Sequence, residues 1–229
     1  YFPAELYIGG GSPTITGSAI SSSSSSGIYV SGNSPSITNN TVSGNQGSWG
    51  IYSSTTLAAL SGNSIIDNSN ATAVYLPATL GQGTVYNNTC SGNKLNGMFL
   101  YGSVTQNTTW TTAGSPYVLA GGVDVNSGVT LTIQQGVVVK PQYNTTTLYI
   151  AGVLNATGAV FTSFKDDSYG GDTNGDGNAT SPAPGDWASI YFGGTGGGGS
   201  LSGCTLRYGG GNYFPAELYI GGGSPTITG

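Results

Sequence analysis

Between Asp172 and Thr180 the chain carries oxygen-bearing side chains at alternate positions: Asp172, Asn174, Asp176, Asn178 and Thr180, with Gly177 in the sixth place. Alternate oxygen ligands and a glycine at the sixth position are what a tight wrap around Ca²⁺ requires. The twelfth place holds Ala183 instead of a bidentate Glu. Asp186 is therefore the expected completing ligand, with Asp166 and Asp167 as alternatives. These carboxylates are five of the nine acidic residues of a chain in which only 6% of residues are charged. Concentrating them is costly without a cation, so Ca²⁺ is the expected cofactor, in a structural role. The alternative is a solvated, Asx-rich turn without metal.

Outside this cluster little could do acid–base work. Glu5, Asp67, Asp124 and Glu217 are accompanied by Lys94, Lys140 and Arg207, and each stands alone by spacing. Polysaccharide-cleaving sites need a close pair of carboxylates, or carboxylates beside a basic residue in a groove. There is no His, which removes the commonest general base and the triad chemistries. Cys90 falls in an apolar column and is expected to be a small buried hydrophobe, with no disulfide to Cys204. The expectation is a protein that is not an enzyme.

Seven Asn-x-Thr sequons occur, and Asn39, Asn70, Asn87, Asn107, Asn144 and Asn155 are candidate glycan acceptors. The seventh, Asn178, lies within the calcium pattern. With four basic residues and a net charge of -5, the chain has no basic stripe for nucleic acid. No apolar run is long enough for a membrane span, and no basic-then-apolar leader opens the sequence. Two Cys are too few to staple a secreted scaffold.

The elements that must position these residues are repeats. Residues 1–17, YFPAELYIGGGSPTITG, return unchanged as 213–229, an offset of 212. The expectation is one period of a longer tandem array plus the start of the next; the alternative is a terminal duplication of the motif. Within it, an apolar–aromatic–apolar triplet recurs as Leu6-Tyr7-Ile8, Ile28-Tyr29-Val30, Ile51-Tyr52-Ser53, Val74-Tyr75-Leu76 and Met98-Phe99-Leu100, at steps of 22, 23, 23 and 24. Fainter members at Val123, Leu148 and Ile190 lead to Leu218. One period is thus about eight coils of 22–25 residues, with a long insertion at 165–186. Apolar pairs five residues apart, among them Ile15/Ile20, Ile37/Val42, Leu60/Ile65 and Leu201/Leu206, keep phase with the triplets. Two Asn columns, Asn40/Asn63/Asn88 and Asn45/Asn68/Asn93, do the same.

Val, Ile, Thr and Tyr runs broken by Gly, Asn and Ser describe short strands and tight turns, and 41 residues are Gly. Like residues stacked at a coil-length step mean an all-β solenoid of parallel strands, spanning 1–229 as a single domain. The preference of parallel crossovers makes it right-handed. Strand alternation puts Leu6, Ile8, Ile28, Val30, Ile51, Val74, Leu76, Met98 and Leu100 inside. Tyr7, Tyr29, Tyr52, Tyr75 and Phe99 form an outward ladder, a face for packing or for binding sugar rings.

The stretches SPTITGSAI, SPSITNNTVSGN and NNTCSGN resemble coils of right-handed parallel β-helix proteins, the pectate-lyase-like superfamily. Residues 118–208, with VDVNSGVTLTIQQGVVVK and GDWASIYFGG, resemble β-helical modules of large bacterial and archaeal surface proteins. The resemblance implies the fold and leaves activity open, since the superfamily holds lyases, hydrolases, adhesins and inert fibres. The expected role is a structural repeat of an extracellular filament, sheath or cell-surface fibre, with itself as partner, head to tail. The rivals are a carbohydrate-binding adhesin using the Tyr face and a polysaccharide lyase or hydrolase.

Overall fold

The coils begin with a turn problem. After each short strand the chain must change direction within one or two residues, which a left-handed backbone conformation achieves. Gly17, Asn39, Gly62 and Asn87 all take positive φ at one corner, between 54° and 65°. Ser22, Gly44, Asp67 and Gly92 do so at the next, between 55° and 65°. Glycine has no Cβ to oppose this conformation, and Asn or Asp tolerates it by bonding its own backbone.

The next residue faces inward, and in three successive coils it is Asn. Asn40, Asn63 and Asn88, and Asn45, Asn68 and Asn93, are all buried. Asn63 Oδ1 accepts both the backbone N–H of Asn40, at 3.0 Å, and its side-chain amide, at 3.1 Å. Asn88 Oδ1 serves Asn63 in the same way, at 3.1 and 2.9 Å. The second column repeats this from Asn45 through Asn68 to Asn93. Each side-chain N–H₂ also reaches a carbonyl of the coil below, as Asn68 does to Val42 at 3.0 Å.

The computed structural model describes residues 4–81, 84–212 and 214–229, in which every regular element is a strand and every ladder is parallel. Residues 1–3 and 213 of the repeated motif lie outside the described residues. The first coils have three strands each. Ala4–Ile8, Ser26–Val30, Trp49–Ser53, Thr72–Pro77 and Leu95–Val104 stack as one ladder. Thr14–Thr16, Ser36–Thr38, Ala59–Ser61 and Val85–Tyr86 form a second face. Ala19–Ser21, Thr41–Ser43, Ser64–Ile66 and Thr89–Ser91 form a third. Leu6 pairs with Ile28, Ile28 with Ile51, Ile51 with Val74 and Val74 with Met98, the column read from the spacing.

Beyond Met98 the column departs from that reading. The spacing joined Met98 to Val123, but Met98 pairs with Tyr117 and Val123 pairs with Gly102. The reason is that Leu95–Val104 is ten residues long and turns at Gly102, whose φ is 74°. Its first half continues the original ladder through Tyr117–Val125, Val138–Pro141 and Val160–Phe161 to Thr205–Leu206. Its second half opens another ladder through Tyr117–Val125, Thr147–Ile150 and Ser189–Phe192 to Leu218–Ile220. Leu206 accordingly pairs with Phe161 and not within the column of Ile20, Val42, Ile65 and Cys90. A five-strand face, Thr108–Trp110 to Thr226–Thr228, completes the later coils.

The core is a continuous apolar column from Ile8 to Leu201. All nine residues expected inside are there, with Leu6 partly buried at the end coil. Removing one amide from the middle of an Asn column should leave several buried groups unpaired. Asn68→Ala orphans groups on Asn45, Asn93 and Val42 and is expected to cost roughly 3 kcal/mol, measured by denaturant unfolding. A loss below about 1 kcal/mol would contradict the structural weight given to these columns.

Candidate metal centre and aromatic face

The segment between Phe161 and Ser189 leaves the coil and folds back over earlier coils. Gly175 rests against the carbonyl of Lys94, where an added Cβ would stand 2.2 Å from the oxygen. Asn96 donates its backbone N–H to Thr173 O at 2.8 Å and its side-chain amide to Asp172 O at 3.0 Å. Asn96 Oδ1 in turn ends the Asn45/Asn68/Asn93 column by accepting from Asn93 at 3.1 and 3.0 Å. The loop is thereby tied to the amide column, several coils from its own strands.

Within the loop the acids divide into two kinds. Asp186 binds Lys165 Nζ at 2.8 Å, Ser163 Oγ at 2.6 Å and the N–H of Ala183 at 2.9 Å. Asp166 accepts from Thr162 and Ser168 and lies 3.5 Å from Arg207. Burial raises the Asp166 pKa, but these hydrogen bonds and the Arg207 charge outweigh it and hold the carboxyl below its usual range. The structure therefore places Asp186 in an ion pair, apart from the other carboxylates expected to hold a metal.

Asp167, Asp172 and Asp176 form the second kind, with carboxylate oxygens all within 4.8 Å of one another. Asp172 shapes the wrap, accepting the N–H of Asp176 at 3.1 Å and of Gly177 at 2.9 Å. Asn174 donates to Asp176 Oδ2 at 2.8 Å and to Thr180 Oγ1 at 3.0 Å. Thr180 also donates to Asp176, and Asn178 is exposed. Three oxygens remain buried without a donor: Asp167 Oδ1, Asn174 Oδ1 and Asp176 Oδ1. A buried oxygen acceptor left unpaired is unfavourable, and a hard cation is the partner that suits several at once. Burial and then the Asp172 charge push the Asp167 carboxyl above its usual range.

Lys140, read from spacing as solitary, is fully buried beneath this group. Its ammonium donates to Gly171 O at 2.9 Å and Thr173 Oγ1 at 2.7 Å. Burial lowers its pKa to about 8, against the pull of Asp167, Asp166 and Asp172. Spacing could not reveal this contact, because it depends on how the loop folds back. Five loop carboxylates now face Lys140, Lys165 and Arg207, leaving two negative charges. That residue of charge equals one divalent cation.

The aromatic face stacks Tyr7 on Tyr29 at 5.8 Å, Tyr29 on Tyr52 at 4.5 Å and Tyr52 on Tyr75 at 6.1 Å. Phe99 shares their register but is only 1% exposed, covered edge-on by Phe164 of the loop. Tyr101 takes its place, stacking on Tyr75 at 4.9 Å, and Trp49 flanks the row 4.7 Å from Tyr52. Of the sequon residues, Asn39, Asn70, Asn87, Asn107 and Asn144 are exposed and Asn155 is half-buried within Val153–Thr157. Cys90 and Cys204 are both free thiols.

The family model described as a right-handed β-helix region matches residues 4–159, which is 156 of the 229 residues, and the chain belongs to that family. No curated protein and no solved structure gave a significant match. Among the described residues no helix is long and apolar enough to cross a membrane.

Adding Ca²⁺ at about a hundredfold excess over its dissociation constant is expected to raise Tm by roughly 5–10 °C. Asp176→Asn should abolish the shift. Calorimetry of both proteins with and without Ca²⁺ checks it, and equal melting with and without the ion in the parent chain counts against the site. A pH signature accompanies this. The folded pKa of Lys140 lies below its ordinary 10.5, so the unfolded chain binds the proton more tightly and this residue's contribution to stability rises from pH 8 to 10.5. Its loss of charge above about pH 8 also removes a competing cation. Calcium affinity measured by titration calorimetry should accordingly tighten between pH 7 and pH 9.

Proposed function

We propose that this chain is a structural repeat of an extracellular filament, sheath or cell-surface fibre, built by joining β-helices end to end. The observation that carries this reading is the identity of residues 1–17 with 213–229, which extends to exposed positions such as Tyr7, Thr14 and Thr16. Folding alone does not require exposed side chains to match, whereas a surface reused in each period does. Eight ladder pairings lead from Ala4–Ile8 to Leu218–Ile220, so a period rises about 38 Å at about 4.8 Å per coil. A stacked solenoid leaves unpaired strand edges only at its two ends, so joining the ends yields a filament.

Ca²⁺ at Asp167, Asp172, Asn174 and Asp176 would serve this role by fastening the long loop to the flank of the coils. Few charges, many hydroxyls and amides, and exposed sequons suit an inert surface polymer. The scarcity of Lys and Arg also leaves trypsin-like proteases few sites. A cavity at the loop is lined by Lys165, Asp166, Asp167 and Arg207, and both of its bases are already engaged there, Lys165 with Asp186 and Arg207 with Asp166.

The second reading, a carbohydrate-binding adhesin, draws on the five stacked Tyr rings with Trp49 alongside, because flat aromatic surfaces suit sugar rings. Loss of glycan-array binding in Tyr29→Ala with Tyr52→Ala, without loss of fold by circular dichroism, is its expected signature. For the filament, electron microscopy of native material should show fibres with an axial repeat near 38 Å or a simple multiple, and a layer line near 4.8 Å. Discrete short rods would end the filament reading and leave the adhesin in first place.

A further inference from the structure

We propose that Asn174 is a site of self-modification, at which the backbone nitrogen of Gly175 attacks the Asn174 side-chain amide and leaves aspartate or isoaspartate in its place. The modification stands on the geometry of the loop alone. Its consequence for cation binding rests on the calcium reading.

Asn-Gly occurs twice in the chain, at Asn96-Gly97 and at Asn174-Gly175. An asparagine side chain can close a five-membered ring onto the next residue's nitrogen, and a glycine there has no side chain to hinder the approach. The fold treats the two pairs in opposite ways. Asn96 is fixed inside the strand Leu95–Val104, where its Oδ1 accepts two bonds from Asn93 and its Nδ2 donates to Asp172 O. Its amide cannot turn toward Gly97 without breaking all three.

The Asn174 side chain is held only through the nitrogen that would leave. Nδ2 donates to Asp176 Oδ2 at 2.8 Å and to Thr180 Oγ1 at 3.0 Å, while Oδ1 has no donor. The attacking nitrogen is equally unengaged: among the described residues the N–H of Gly175 meets no acceptor. The next two N–H groups, of Asp176 and Gly177, are both spent on the Asp172 carboxylate, at 3.1 and 2.9 Å. That engagement also withholds Gly177 from the same ring closure on Asp176. Gly175 is exposed, so water reaches the pair. Its φ of 70° and its packing against Lys94 O leave no room for another residue.

In the first step the Gly175 N–H proton passes to solvent base as the bond from nitrogen to Asn174 Cγ forms. The bond from Cγ to Nδ2 breaks, and Nδ2 takes up a proton from water and departs as ammonia. One water then opens the ring at either carbonyl, so the net change is one water consumed and one ammonia released. Aspartate at this place adds a fourth carboxylate to Asp167, Asp172 and Asp176. Isoaspartate instead inserts a methylene into the main chain where Asp172 gathers the N–H groups of Asp176 and Gly177, and so loosens the wrap.

The test follows the full chain, folded and in urea, in mildly alkaline buffer made with heavy-oxygen water. Peptides cut at acid pH are weighed for the mass gain and oxygen label of deamidation, and chromatography separates aspartate from isoaspartate. In the folded chain Asn174 should convert at least about tenfold faster than Asn96, which must first break three hydrogen bonds. In urea the two rates should converge. Equal rates in the folded chain, or no conversion at Asn174 while the unfolded chain converts, would overturn the proposal. Asn174→Gln, whose longer side chain does not close the ring, should remove the signal at that position and leave Asn96 unchanged. Asn174→Asp, standing for the aspartate product, should bind Ca²⁺ about tenfold more tightly than the parent in titration calorimetry. No Ca²⁺ binding by either protein would overturn the metal reading, and the modification would still stand or fall on the mass data.

Discussion

The early coils of this protein are held to one another by buried side-chain amides that bond both the next coil's amide and a carbonyl of the coil below. An Asn buried at a corner must satisfy two donors and an acceptor away from water. It can do so only if the coil below presents its backbone and side-chain N–H to the amide oxygen, and the coil above presents an amide oxygen to its own N–H groups, at the same height. The requirement is reciprocal from Asn40 to Asn88 and from Asn45 to Asn93, and it fixes the stacking register more tightly than apolar packing does. Ile, Val and Leu can slide past one another with modest loss, whereas a slipped amide column leaves several buried polar groups unpaired.

Much of this is legible in the amino-acid sequence. The 22–24-residue spacing of the Leu-Tyr-Ile triplets gave the coil length, and alternation within each triplet assigned the faces. The Asn columns were visible as alignments, and the left-handed corners are legible in the Gly, Asn or Asp that precedes each column residue. What spacing could not show is where a strand turns. Leu95–Val104 has apolar residues on both sides of Gly102, and only pairing reveals that its halves serve different ladders. Phe99 departs from the outward row for a related cause: its register matches the Tyr row, but Phe164 from a distant loop covers it.

The acid cluster divides along the same line. The alternating Asp172, Asn174 and Asp176 were legible because they are local. Asp167, the burial of Lys140 and the pairings of Asp186 and Asp166 arise from a loop laid back across earlier coils, which no period encodes. Electrostatics then sorts the five carboxylates: two are neutralised by Lys165 and Arg207, and three converge over a buried ammonium whose charge burial weakens.

The parallel coils also determine how such a molecule answers to pulling. A load along the axis falls on the hydrogen bonds between coils, which point along that axis, and opens them one row at a time. Each opened coil frees about 22 residues, which span roughly 75 Å when extended against about 4.8 Å when stacked. The stretches bearing Asn columns resist first opening most strongly, while the Gly-rich turns at 193–199 carry no such amides. A filament of these units would lengthen in discrete steps under tension, weakest segments first, and so would absorb mechanical work before its backbone broke.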